Sequence, residues 1–154
     1  MACETREEIL SLLPHRDPFL FVDRIVERKE GSITCEWDIR ADLDCLRGHY
    51  PDQPILPGVM ISEFVFQSGA LLVYGSEPEL QDDPGAPVLT RIEDARFKRI
   101  VRPGATLRVN VKHEERLANA RYLSAKVTTL DEAGIQRTVA RLRFVLAIAP
   151  AEGA

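Results

Sequence analysis

The stretch from Pro57 to Tyr74 is apolar on nearly every side and restricts the possible folds of this chain more than any other stretch. A helix with no solvated face has to lie inside a protein core or a membrane. A membrane span needs about 20 predominantly apolar residues, and here Ser62, Glu63, Gln67 and Ser68 interrupt the run. We therefore predict a core helix that the rest of the chain surrounds.

The rest of the chain predicts one antiparallel sheet. Apolar and polar residues alternate over three long segments, as expected for strands with one packed face. Short turns at Ala118 to Arg121 and Asp131 to Gly134 favour antiparallel neighbours. A hairpin is predicted earlier, from Phe19 to Val26 and Ile33 to Ile39. The alternating segments are 107–112, 122–127 and 140–148.

One domain, residues 1–154, of the α+β class follows: a curved antiparallel sheet around one long helix. A short helix from about Thr5 to Leu12 precedes the sheet, because Thr5 and Glu8 form a capping box. The connection from Gly75 to Pro87 is acidic and rich in proline, which predicts a mobile surface segment.

Composition excludes some functions. A net charge of −4 and a pI near 5.4 argue against general nucleic-acid binding. The N-terminal residues lack a basic start followed by an apolar run, so we expect no secretory signal and a cytoplasmic protein. Cys3, Cys35 and Cys45 are odd in number and lack metal-ligand spacing, which fits reduced thiols.

Glu63 is the first candidate for chemistry, since a carboxylate on an apolar helix must be paired, reach water or hold its proton. Gln67 shares its face at i+4. His49 precedes three prolines, and we predict that the segment from Tyr50 to Leu56 is an extended strut leading to the helix start at Pro57 and Gly58. A histidine base, an acid and free helix N–H groups suit proton abstraction beside a carbonyl.

Simpler explanations exist for each candidate. Glu63 could satisfy backbone groups or lie at a subunit interface, and His49 could be structural. We expect His15 to fix the loop before the first strand and His113 to be exposed on a strand. No phosphate loop, nucleophile elbow or metal-ligand spacing occurs, so no nucleotide cofactor and no catalytic metal are expected.

Three motifs, LLPHRDPFLFVDRI, GHYPDQPILPGVMISEFVFQSG and DARFKRIVRPGATL, resemble the FabZ-type 3-hydroxyacyl-[acyl-carrier-protein] dehydratases of bacterial fatty-acid synthesis. The resemblance implies a hot-dog fold and a homodimer, further assembled in many members as a trimer of dimers. It also implies dehydration of a (3R)-hydroxyacyl thioester to the trans-2-enoyl thioester, without a cofactor. The expected partner is acyl carrier protein.

The resemblance assigns roles to individual residues. His49 falls on the catalytic histidine and Glu63 on the catalytic acid, contributed by different subunits. Gly58 falls on the glycine whose N–H polarises the thioester carbonyl, next to Val59 in the substrate site, and Gln67 supports the site. His49 would remove the C2 proton and Glu63 would protonate the departing hydroxyl.

This chain departs from the family pattern at Phe64 and Phe66, where alanines are usual. Both rings are expected to line the substrate site or the dimer seam, which leaves the acyl length open. A basic group is expected to bind the acidic carrier. A hot-dog thioesterase, in which Glu63 activates water, and a non-catalytic acyl-binding subunit are the alternatives. The basic group consists of Arg96, Lys98, Arg99 and Arg102.

Overall fold

A computed structural model describes residues 4–83 and 85–150, so Cys3 lies outside the described residues. Within these residues the chain forms two helices and six strands, with short 3-10 turns at Asp44–Leu46 and Pro78–Gln81. The elements are α1 Arg6–Leu12, β1 Arg24–Lys29, β2 Ser32–Asp38, α2 Gly58–Ser76, β3 Ala86–Phe97, β4 Thr106–Leu117, β5 Ala120–Leu130 and β6 Gln136–Ala149.

The six strands form one antiparallel sheet in the order β1-β2-β4-β5-β6-β3. Helix α2 packs against this sheet, and 13 of its 19 residues are buried. By length and composition α2 could cross a membrane, but its burial against the sheet accounts for its apolar surface. The predicted α+β class and the hot-dog arrangement of helix and sheet are confirmed.

Local sequence signals account for most element boundaries. Thr5 caps α1, and the predicted capping box with Glu8 is present. The hairpin turns place Gly31 and Gly134 at φ values of 71° and 76°, which glycine adopts without a side-chain clash. Alternation also holds in β4, where Leu107, Val109 and Val111 are buried and their neighbours face outward.

Two segments differ from the sequence-based prediction. Strand β1 begins at Arg24 rather than Phe19, because the Phe21 N–H donates to the side chain of Gln67 instead of to β2. The connection after Gly75 also starts in regular structure. Helix α2 continues to Ser76, and the following 3-10 turn buries Leu80 in the core.

A buried ion pair closes the C-terminal end of α2. The Arg121 guanidinium is 2% exposed and donates to both oxygens of Glu77 at 2.6 Å. This guanidinium, helped by Arg116 at 3.2 Å, holds the pKa of Glu77 below its usual value. The pair anchors β5 to the helix end.

Candidate active site

A tight turn, rather than an extended strut, holds His49. Tyr50 has a φ of 53°, and the Gln53 N–H donates to the Tyr50 carbonyl at 2.9 Å. The turn brings the Ile55 carbonyl to 2.8 Å from Nδ1 of His49. The predicted polyproline segment is therefore wrong between Tyr50 and Gln53, and extended backbone begins only after the turn.

That contact fixes the tautomer of neutral His49. A carbonyl oxygen can only accept a hydrogen bond, so Nδ1 carries the proton and donates it to Ile55. Nε2 then keeps its lone pair, which is the arrangement a general base requires. The ring is also packed edge-on against Tyr50, with centroids 4.6 Å apart.

The start of α2 lies against the segment that follows β3. Pro57 is the N-cap residue and Gly58 the first helical residue, so the first N–H groups have no acceptor within the helix. A Cβ at Gly58 would lie 3.3 Å from the ring of Phe97. The Leu56 N–H donates to the carbonyl of Val101 at 2.8 Å. Strand β3 and its following loop thus hold this helix start in place.

Glu63 lies in a separate group of polar side chains on α2. Its Oε1 accepts from Nε2 of Gln67 at 3.2 Å and lies 3.6 Å from Nε2 of His15. Gln67 is 1% exposed and also holds the loop before β1: its Oε1 accepts from the Phe21 N–H, and its Nε2 donates to the Phe19 carbonyl. Both neighbours face the same carboxylate oxygen, so Oε2 has no polar partner among the residues that the structure describes.

His15 lies beside Glu63, a contact that the sequence analysis does not predict. Burial lowers its pKa from the ordinary value of 6.5, and the charges of Glu63 and Arg16 act in opposite directions on it. Its Nδ1 is buried and has no hydrogen-bond partner in the described part of the chain. The ring therefore faces Glu63 through Nε2. The motif that contains His15 does not by itself predict this contact, because 48 residues separate His15 from Glu63 in the sequence.

His49 and Glu63 have different polar partners within one chain. Among residues 4–83 and 85–150, no hydrogen bond or ion pair joins them. The chain instead presents two half-sites: a base beside the start of α2, and an acid clamped by Gln67 further along the helix. His113 is exposed on β4 and belongs to neither.

The two phenylalanines predicted to line the substrate site have different surroundings. Phe64 is fully buried, and its ring centroid lies 5.7 Å from that of Trp37 on β2. Phe66 is 8% exposed and packs on Phe144 of β6 at 5.0 Å. Val59, also predicted to line the site, is 75% exposed in the first turn of α2.

The predicted basic group flanks the helix start. Its four side chains are exposed at the end of β3 and in the loop after it, and one of them pairs with Asp94 at 3.1 Å. The loop is tied to the rest of the site through the bond between Val101 and Leu56. The group comprises Arg96, which makes the pair, with Lys98, Arg99 and Arg102.

Sequence comparisons match this chain to dehydratases. The profile of the ApeI-like family, described as ApeI dehydratase, matches residues 25–136. A 3-hydroxyacyl-[acyl-carrier-protein] dehydratase FabZ from Chloroflexus aggregans is 41% identical over 82% of this chain and 86% of its own length. The FabZ of Solibacter usitatus is 39% identical over 85% of this chain and 79% of its own.

Solved structures share the fold at lower identity. A chain of the dehydratase heterocomplex ApeI:P from Xenorhabdus doucetiae aligns with a TM-score of 0.55 and 22% identity, covering 80% of this chain and 96% of the other. A Streptococcus mutans protein bound to acetyl coenzyme A aligns with a TM-score of 0.63 and 14% identity, covering 90% and 95%. At these identities the likeness concerns the fold alone.

Proposed function

The chain belongs to the FabZ-type 3-hydroxyacyl-[acyl-carrier-protein] dehydratases, and we propose that His49 and Glu63 carry out its reaction on a (3R)-hydroxyacyl thioester bound to acyl carrier protein. As a member of this family it is a hydro-lyase that acts in fatty-acid synthesis. The proposal concerns the residues, the carrier, the trans-2-enoyl product and the assembly. The proposal is carried by the pairing of a base and an acid, since within residues 4–83 and 85–150 neither Nε2 of His49 nor Oε2 of Glu63 has a hydrogen-bond partner.

In the proposed mechanism His49 removes the C2 proton. Its Nδ1–H bond to Ile55 keeps the lone pair on Nε2, and the same bond stabilises the imidazolium that forms. The charge that develops on the thioester carbonyl is stabilised by the N–H of Gly58 and by the positive end of the α2 dipole. Gly58 is suited to this role because a side chain there would meet Phe97 and obstruct the close approach.

Glu63 then protonates the departing C3 hydroxyl from Oε2, and water leaves. Oε1 is engaged by Gln67 and faces His15, so the proton is delivered from the oxygen that has no protein partner in the described part of the chain. The cycle closes when the proton taken by His49 returns to the carboxylate. A fixed carboxylate orientation matters, because a misplacement of about 1 Å can cost roughly 100-fold in rate.

We propose that the site is assembled between two chains. Strand β3 lies at one edge of the sheet and exposes five large apolar side chains along itself and the residues that follow. An exposed apolar edge strand invites pairing with another strand. Pairing of two β3 strands would continue the sheet across both chains and bring the half-sites of different chains together. The apolar side chains are Val88, Leu89, Ile92, Phe97 and Ile100.

The basic group beside the helix start is the proposed docking surface for the carrier. Acyl carrier protein is named as the substrate carrier of the relatives from Chloroflexus and Solibacter. Exposed cations at this place would attract an acidic partner and raise its association rate at low salt. Their position beside Gly58 would place the thioester near the N–H groups of α2.

The assay is hydration of a short trans-2-enoyl thioester, followed by loss of its conjugated absorbance. His49→Ala and Glu63→Gln are each expected to lower kcat by about 100-fold or more, the range that a general acid or base contributes. His113→Ala and Glu132→Gln are the matched controls, since both residues are exposed and far from the half-sites in sequence. Near wild-type rates in either site variant would contradict the assignment.

Mixed dimers test whether the residues act across chains. A dimer of one His49→Ala chain and one Glu63→Gln chain has one site with both defects and one with neither. Co-refolding the two inactive variants is therefore expected to restore activity at one of the two sites in each mixed dimer. Inactive mixed dimers would place both residues in the same chain's site.

Release of free thiol without hydration would instead favour the thioesterase alternative, which has less support because the relatives at 35–41% identity are named dehydratases.

A further inference from the structure

We propose that Phe66 closes the acyl-binding space beside Glu63, so that this protein prefers short 3-hydroxyacyl thioesters over long ones. The inference rests on the proposed function of Glu63 and names the substrate class of that same site. It separates the two phenylalanines near the acid, because only one of them is placed to meet the substrate.

Phe66 shares the helical face of Glu63, whereas Phe64 does not. At about 100° per residue, Phe66 lies roughly 60° from Glu63 around the helix axis, and Phe64 lies about 100° away on the other side. Phe64 is fully buried against Trp37 and so fills the core of its own subunit. Phe66 is 8% exposed, and its helical position puts it on the side of α2 that carries the acid.

The Phe66 ring has no room to move deeper into the subunit. It packs on Phe144, which is fully buried, at a centroid distance of 5.0 Å. Phe144 in turn lies tight against α2, since a Cβ added at Gly69 would come within 2.9 Å of its ring. Phe66 is thus supported from behind and forms a fixed wall.

The residues before and after Glu63 along α2 differ in their exposure to solvent. On the N-terminal side, Val59 is 75% exposed and Met60 is half-buried. On the C-terminal side, the next turn of α2 is buried. In the proposed reaction C3 lies at Glu63, so the first carbons of the acyl tail lie beside the face of α2 that also carries Phe66. Glu63 and Phe66 are about 4.5 Å apart along the helix axis, the length of only a few carbon–carbon bonds.

The test compares kcat/KM for four-carbon and eight-carbon trans-2-enoyl thioesters in the wild type, Phe66→Ala and Phe64→Leu. Phe66→Ala is expected to raise the ratio of eight-carbon to four-carbon kcat/KM by at least about tenfold, the lower value of one methylene in an apolar pocket. Phe144 lies behind the removed ring, so the space that the Phe66 side chain occupied would open toward the substrate. Phe66→Leu should give an intermediate ratio, and it serves as the second variant if Phe66→Ala does not fold.

Phe64→Leu is the matched control, because it alters the core of the subunit while leaving the face of Glu63 intact. Its thermal midpoint should fall, and its chain-length ratio should equal that of the wild type. A wild type that already uses both lengths equally, or a Phe66→Ala ratio that does not change in a folded protein, would overturn the inference. A wild type that hydrates neither substrate would instead contradict the proposed function, so the two failures are distinguishable.

Discussion

Replacing Gln67 with leucine tests whether this side chain couples the loop before β1 to the catalytic acid. The variant leaves the Phe21 N–H without its acceptor in a buried position, which costs about 1–3 kcal/mol. The Phe19 carbonyl is only partly buried and can bond water, so losing its hydrogen bond from Gln67 adds about 0.5–1.5 kcal/mol. The free energy of unfolding should fall by about 1.5–4.5 kcal/mol, and the midpoint by roughly 3–18 °C.

The same substitution removes the hydrogen bond to Oε1 of Glu63, so kcat should fall by up to about 100-fold at a temperature where the variant is folded. Thermal unfolding by circular dichroism and hydration of a short enoyl thioester measure the two effects. Ser68→Ala is the control. Ser68 is equally buried on α2, but its hydroxyl donates to the Phe64 carbonyl within the helix and hydrogen-bonds the Cys35 thiol rather than Glu63 or the loop before β1. Loss of stability in Gln67→Leu with an unchanged kcat would refute the coupling.

Three further predictions concern buried titratable groups. Glu77→Gln leaves the guanidinium of Arg121 without its charged partner and should lower the free energy of unfolding by about 3–5 kcal/mol at pH 7. Because the pKa of Glu77 is lowered in the folded state, this difference from the wild type should persist above pH 4.5 and narrow below it. A difference that does not depend on pH in urea titrations would count against the pair. Burial lowers the pKa of His15, so on acidification the unfolded chain binds a proton at this residue before the folded chain does, and the wild type should lose stability as the pH falls through 6.5. In His15→Gln the free energy of unfolding should fall less steeply between pH 8 and 5.5. Equal slopes in the two proteins would contradict this prediction. Burial raises the pKa of Cys35 to about 12, so iodoacetamide at pH 8 should label Cys45 well before Cys35 in the native protein, and peptide mapping that finds equal rates would disprove the burial.

The sequence predicted the elements of this fold better than their neighbours in the sheet. Alternation at Leu107, Val109 and Val111 identifies a strand with one packed face, and an apolar helix without a polar side requires a cover. The pairing of β3 with β6 could not be predicted in this way. Register shifts between Leu89 and Arg91 and between Ile92 and Asp94 interrupt its alternation, so periodicity offers neither a buried face nor a partner strand.

The half-sites show a similar division. The spacing of Gln67 after Glu63 follows from helix geometry and is readable from the chain. The hydrogen bond between His49 and Ile55 was missed, because it depends on a left-handed Tyr50, a conformation that few residues other than glycine adopt. Prolines in the segment favour extended backbone, but the turn at Tyr50 outweighs that preference locally.

Gln67 explains why the loop with His15 could not be placed from sequence. The bonds from Gln67 to the backbone of Phe19 and Phe21 span 46–48 residues, and they replace bonds that would otherwise extend β1. The same side chain donates to Glu63, and the loop it holds brings His15 to 3.6 Å from the acid. The end of the strand and the surroundings of the acid thus have one cause. Restoring a longer β1 would require these bonds to break, so a variant that extends the strand should also release Glu63.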